Sequence, residues 1–236
     1  MANPEHLEIL KQGAQFWNRW RRKHPEAKPD LNGADLQGVH LSGDFRARRS
    51  NRRLNLSRAS LVAANLRGAF FADVDLTQAD LGRANLVEAH VLFADLSWTN
   101  LVQANLRAAD LKDSELVGAK LVRADLTYAR FTRTYLFSTD FEEALMADTS
   151  FSCADLSGAE RLETVRHKGP TSIDIDTIYL SKGNIPEAFL RGAGVPEDFI
   201  VYMKSLAGNP IEFYSCFISY PSQDDEFARR LHAKVT

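Results

Sequence analysis

Five arginines crowd one short segment of this chain: Arg46, Arg48, Arg49, Arg52 and Arg53 within SGDFRARRSNRR, residues 42–53. Guanidinium groups at that density attract phosphate, which makes the segment a candidate contact for a phosphorylated ligand or nucleic acid. No aromatic side chains interleave with the arginines to form a stacking platform, so nucleic acid is not the expected partner. A solvated charge cluster on an exposed loop is the plainer reading. His90 has no second histidine or cysteine at ligand spacing, and no metal is expected there. No Gly-rich phosphate loop, metal-binding spacing or Ser/His/Asp set appears, so neither a catalytic residue nor a cofactor is expected.

Those side chains need a frame, and the frame has a period of five. From Leu56 to Leu156 every fifth residue is apolar: Leu56, Leu61, Leu66, Phe71, Leu76 and onward, 21 positions in all. Two places before it, 14 of the 21 residues are Ala, and the others apart from Leu54 are Ala-sized or nearly so, namely Val, Ser or Thr. A period of five fits neither a helix nor a flat strand. A chain that obeys it turns regularly. If each pentapeptide forms one side of a square coil, the central residue and the small one both point inward, and small beside large leaves no void.

The tandem A(D/N)LXX pattern resembles the pentapeptide-repeat family. That resemblance implies a mainly β fold: a right-handed quadrilateral parallel β-helix with four repeats per coil. An N-terminal capping helix and a C-terminal helical segment complete the expected architecture. The expected boundaries are a capping helix over 1–30, the β-helix over 31–160 with its Arg-rich interruption at 42–53, a helical cap or linker over 161–210, and a separate element over 211–236. Repeats begin at Leu31, Leu36 and Leu41, and Leu56 stays in frame with Leu41. Segment 42–53 is therefore either an inserted loop or a run of poor repeats.

Coils of twenty residues bring i and i+20 into columns. Asn65, Asn85, Asn105 and Asp125 form one, expected to bond backbone at the corners, and Asp75, Asp95 and Glu115 form another. Trp98, Tyr135 and Phe137 fall on one face, with Phe93 on the face before it. Outward aromatics of this size mark a candidate protein contact, although single exposed aromatics are also common. Residues 54–160 carry 15 acidic and 9 basic side chains, and residues 1–53 carry 6 acidic and 11 basic. A rod of net charge −6 with interspersed arginines is too mixed for a mimic of DNA, a mechanism used by some highly acidic members of the family.

The ends read differently. Leu7, Leu10, Ala14, Trp17 and Trp20 make one apolar stripe, which predicts a single amphipathic helix over 4–23 that covers the first coil. Residues 161–169 are a candidate last strand. Three helices are expected over 173–208: one after Asp174, one from Pro186 ended by Gly192 and Gly194, and one from Pro196. Finally, YSCFISYPSQDDEFARRL resembles the opening βα unit of a TIR (Toll/interleukin-receptor) domain, with Ser215 where that family often has Asp. Bacterial members can hydrolyse NAD through a glutamate well downstream, and no position before Thr236 matches it. Cys153 and Cys216 suggest no disulfide framework. There is no signal pattern and no membrane-length apolar run, so a cytoplasmic chain is expected. The expected function is a non-catalytic scaffold, with protein partners that include a second copy of itself, positioning or oligomerising a TIR signalling domain. NAD hydrolysis by a longer parent is the alternative.

Overall fold

In each repeat two side chains turn inward and three outward. In Asp95-Leu96-Ser97-Trp98-Thr99, Leu96 and Thr99 are buried while Asp95, Ser97 and Trp98 face out. Two conformational devices produce this. The residue two places after the centre has a positive φ in every repeat from Arg58 to Cys153, as in Trp98 at 61°. A turn of the type II pattern then closes from the small residue's N–H to the centre's carbonyl, as from Thr99 N to Leu96 O at 3.0 Å. The Asp or Asn before the centre locks the corner, because its carboxyl or amide oxygen accepts the N–H two residues on: Asp95 from Ser97 at 3.0 Å, Asp75 from Thr77 at 3.0 Å. That is the physical meaning of D/N in the motif.

The structure, a computed structural model, describes residues 1–42 and 53–207. These fold into a parallel β-solenoid of about six turns with helices at both termini. The pairing offset is twenty residues: Asn65 bridges Asn85, Asn85 bridges Asn105 and Asn105 bridges Asp125. Four pentapeptides therefore make one coil. In the first coil the offset is thirty, with Asp35 beside Asn65 and His40 beside Phe70, whereas Leu54 pairs with Val74 at twenty. The chain between Ser42 and Leu54 thus exceeds the repeat count by ten residues.

The core is one continuous column of central Leu and Phe residues with Ala between them. Where Thr or Ser replaces that Ala, its hydroxyl donates to a carbonyl of the coil before: Thr99 to Leu76, Thr139 to Leu116 and Thr149 to Leu126, at 2.7–2.9 Å. A buried hydroxyl is tolerated because it is paired. Near the C-terminal end Phe131 stacks on Phe151 at 4.9 Å, and Phe189 of a covering helix meets Phe151 edge-on.

The N-terminal segment forms two helices rather than one. Helix α1 (Pro4–Lys11) is capped by Asn3, and α2 (Ala14–Lys23) follows a break at Gly13, whose φ of 100° no α-helix contains. The apolar stripe survives the break, with Leu10 and Trp17 buried. At the other end a 3-10 turn at Leu162–Thr164 leads to short strands at Arg166–His167 and Thr171–Ile173, which pair with Leu145–Met146 and Thr149–Phe151. Three helices follow: α3 (Ile175–Leu180), α4 (Glu187–Ala193) and α5 (Glu197–Ala207). Gly192 lies inside α4, and Gly194, in the left-handed region, ends it. Among the described residues no helix is long and apolar enough to cross a membrane. The TIR-like stretch 211–236, with Cys216, lies outside the described residues.

Candidate interaction surface

Each coil has four outward sides, and their columns differ in chemistry. Three sides carry charges of both signs, joined along the rod: Arg67 with Glu88 at 3.0 Å, Arg123 with Glu143 at 2.7 Å, Arg130 with Asp110 at 2.9 Å and Arg133 with Asp113 at 2.7 Å. These pairs are solvent-exposed and contribute little each. Hydrogen bonding from Arg133 outweighs the opposing effect of burial and, with the charges of Arg133 and Lys112, holds the Asp113 carboxyl below the usual range.

The fourth side is different. Its column before the centre runs Asp75, Asp95, Glu115, Tyr135, Asp155 through successive parallel bridges. The columns after the centre hold Thr77, Ser97, Val117, Phe137 and Ser157, then Gln78, Trp98, Gly118, Ser138 and Gly158. From Asp75 to Gly158 this side has no Lys or Arg. Trp98, Tyr135 and Phe137 are all on it, 63–67 % exposed. Phe93 stands at the corner where the preceding side turns into this one, at φ 53°.

Trp98 and Phe137 lean along the rod onto glycines of the next coil. A Cβ on Gly118 would lie 2.5 Å from the Trp98 ring, and one on Gly158 would lie 2.6 Å from the Phe137 ring. Only glycine leaves room for these rings to lie flat against the coil. Tyr128, also a half-exposed corner aromatic at φ 62°, sits on another side of the rod. The outward count of the repeat marks Tyr128 as it marks Trp98, both two places after a centre.

Of the five arginines, Arg53 is described and the structure ties it down: its Nε donates to Asp73 at 2.8 Å, and its carbonyl accepts from Asn18 at 2.8 Å. Arg46, Arg48, Arg49 and Arg52 lie outside the described residues. His90 is exposed between Phe70 and Asp110 in its column. A grouping invisible at the level of the repeat is Cys153, Asp174 and Asp176, which bring one ligand atom each within 4.8 Å of one another. Asp174 is already committed: it accepts from Ser152 Oγ, Cys153 N and Thr177 N at 2.6–3.2 Å. Burial pushes its carboxyl up, but hydrogen bonds from Ser152, Thr177 and Cys153 outweigh that and hold it below the ordinary range.

Comparison with known proteins bears on this geometry. The pattern described as pentapeptide repeats matches in eight copies over residues 55–90, 93–127 and 129–160. The sequence is 33% identical to alr5209, a pentapeptide repeat protein from Nostoc PCC 7120, over 49% of this chain and 86% of that one, with a TM-score of 0.36. The chain belongs to the pentapeptide-repeat family. Rfr23, a pentapeptide repeat protein from the cyanobacterium Cyanothece 51142, is 22% identical over 66% of this chain and 97% of its own, with a TM-score of 0.30. HetL, a pentapeptide repeat protein involved in heterocyst differentiation regulation in Nostoc sp. strain PCC 7120, is 22% identical over 65% and 78%, with a TM-score of 0.27. No curated protein matches the sequence.

Proposed function

We propose that this pentapeptide-repeat protein is a non-catalytic, cytoplasmic interaction module: a rod capped at both ends that presents one aromatic side to a protein partner. The observation that carries the reading is the alignment of Trp98, Tyr135 and Phe137 on the one side that carries no Lys or Arg from Asp75 to Gly158. Large exposed apolar side chains gathered on one surface are costly unless covered in use. The inward residues are explained by packing, and the mixed charge of the other three sides by mutual pairing, so the fourth side is what remains for recognition. The fold by itself names no activity.

The TIR-like opening at residues 213–231 gives the module its purpose: the rod positions or oligomerises an attached signalling domain. Sedimentation of the chain over a wide concentration range tests the oligomerising half, which a strict monomer at high concentration removes. NAD hydrolysis is the alternative activity that the same resemblance implies. An NAD-cleavage assay on this chain is expected to show no turnover, and turnover would overturn the non-catalytic reading. DNA mimicry is disfavoured by the Arg ladders, because a mimic needs unbroken negative charge along the rod.

A further inference from the structure

The fourth side is an asymmetric surface as well as an apolar one. Its acidic column lies along one edge, and Trp98, Val117 and Phe137 run along the other, both parallel to the rod axis. Among the described residues Asp95, Glu115 and Asp155 take part in no ion pair. Asp95 and Asp155 each accept a corner N–H on Oδ1, from Ser97 and Ser157. Elsewhere on the rod Asp73, Asp110, Asp113, Asp125 and Glu143 are paired with arginine along the rod. Beyond Arg58, which bonds Gln78 at the first coil edge, this side presents no Lys or Arg to its carboxylates as far as Gly158.

We infer that this side docks a basic amphipathic helix of a partner protein, laid along the rod axis. The inference rests on the reading of the rod as an interaction module and names the chemistry of its partner. Lys or Arg on one flank of the helix meets Asp95, Glu115 and Asp155, while its apolar flank lies on Trp98, Val117 and Phe137. Tyr135 interrupts the acidic column with an exposed ring, which a cation can also cover. The stripes decide for a helix over a strand. Neighbouring stripes that both run with the axis match the two flanks of a helix, whereas one face of a strand offers a single row. From Asp95 to Asp155 is three coil steps, about 14 Å at strand spacing, which about ten helical residues span.

The test is fluorescence anisotropy with three labelled peptides of about twelve residues: a helix with Lys on one flank and Leu on the other, the same peptide with Glu for Lys, and a scramble of the first. The Lys/Leu helix is expected to bind at least roughly tenfold more tightly than either of the others. Trp98→Ala and Phe137→Ser should each weaken it by roughly tenfold, as befits central anchors. Glu115→Lys should weaken it further and reduce its salt dependence, whereas Arg107→Gln on another side should leave it unchanged. Circular dichroism checks that each variant keeps its fold, and Glu115→Lys, at an exposed position, keeps the test open if Trp98→Ala does not fold. Equal binding of the Lys and Glu helices, equal binding of the scramble, or indifference to Phe137→Ser and Glu115→Lys overturns the inference. A chain that self-associates in sedimentation yet ignores all three peptides loses this inference and keeps the scaffold reading.

Discussion

The side-chain amide of Asn18 stands against Asn55 where a peptide group of an earlier coil would stand. Its Nδ2 donates to Arg53 O at 2.8 Å, and its Oδ1 accepts from Asn55 N at 2.9 Å. Further along, the N–H groups of Ser60, Asn65 and Phe70 donate to Pro29, Ala34 and Val39 of the first coil. Asn55 has no such neighbour, so helix α2 supplies one. Trp17 Nε1 donates to Asn55 O at 2.6 Å, and Arg21 reaches Ser57 O at 3.1 Å. The far end mirrors this: Asp174, Thr177 and Ser181, on one face of α3, accept from the N–H groups of Cys153, Ala154 and Leu156. Both open edges of the solenoid are thus closed by helix side chains imitating a strand.

Asn18→Ala should cost about 1–3 kcal/mol in equilibrium unfolding, since it leaves one donor and one acceptor of the edge unsatisfied. Asn18→Asp keeps the acceptor and loses the donor, and should fall between the two. Hydrogen exchange provides the local readout: the Asn55 amide should exchange faster in Asn18→Ala, with the amides near Leu111 unchanged. Uniform protection at Asn55 in the variant would show that α2 does not close this edge.

Asp174 caps both α3 and the last coil, and its carboxyl is held below the ordinary range. Unfolded, such a carboxyl titrates near 3.9. Its stabilising effect is therefore present above pH ~4 and lost as the pH falls through its lower folded value. Asp174→Asn should lower the thermal midpoint at pH 7 and flatten its fall below pH ~4. A parallel fall in both proteins would assign the acid sensitivity elsewhere.

His167 packs its ring against Gly192 and Phe189, and its buried Nε2 has no partner. Burial holds the imidazole below its ordinary value. The folded state thus resists the proton that the unfolded chain accepts near pH ~6.5, so stability is full above that value and declines below it. The protection of the Leu190 amide, with exchange rates corrected for their intrinsic pH dependence, should fall between pH 7 and 5, and His167→Leu should abolish that fall while leaving protection at Leu96 untouched.

Gly118 has a φ of +67° and lies beneath the Trp98 ring. Gly118→Ala should destabilise the protein by about 1–3 kcal/mol, through both the left-handed backbone and displacement of the ring. In the double variant with Trp98→Ala only the backbone share should remain. Strict additivity in that cycle would mean that the ring is not held by this contact.

The sequence by itself determined the solenoid. Twenty-one in-frame apolar centres with small partners admit only a chain that turns every five residues, and the Asp or Asn before each centre marks the corner it locks. The columns follow by arithmetic, which is why Trp98, Tyr135 and Phe137 were legible as neighbours although 39 residues separate the first from the last. What repeats can be read, because each residue's surroundings are set by its own period. The ends do not repeat, and there tertiary structure decided. Gly13 broke the expected helix in two because α2 had to lie along the edge at Asn55. Asn18 and Ser181, ordinary polar residues in a helix, acquired their roles only from the coil edge each happened to face. Charge pairing was decided in the same way: arithmetic places Asp113 and Arg133 in one column, but only the folded coil shows the arginine bonding that carboxylate at 2.7 Å while Glu115 lies beside Tyr135.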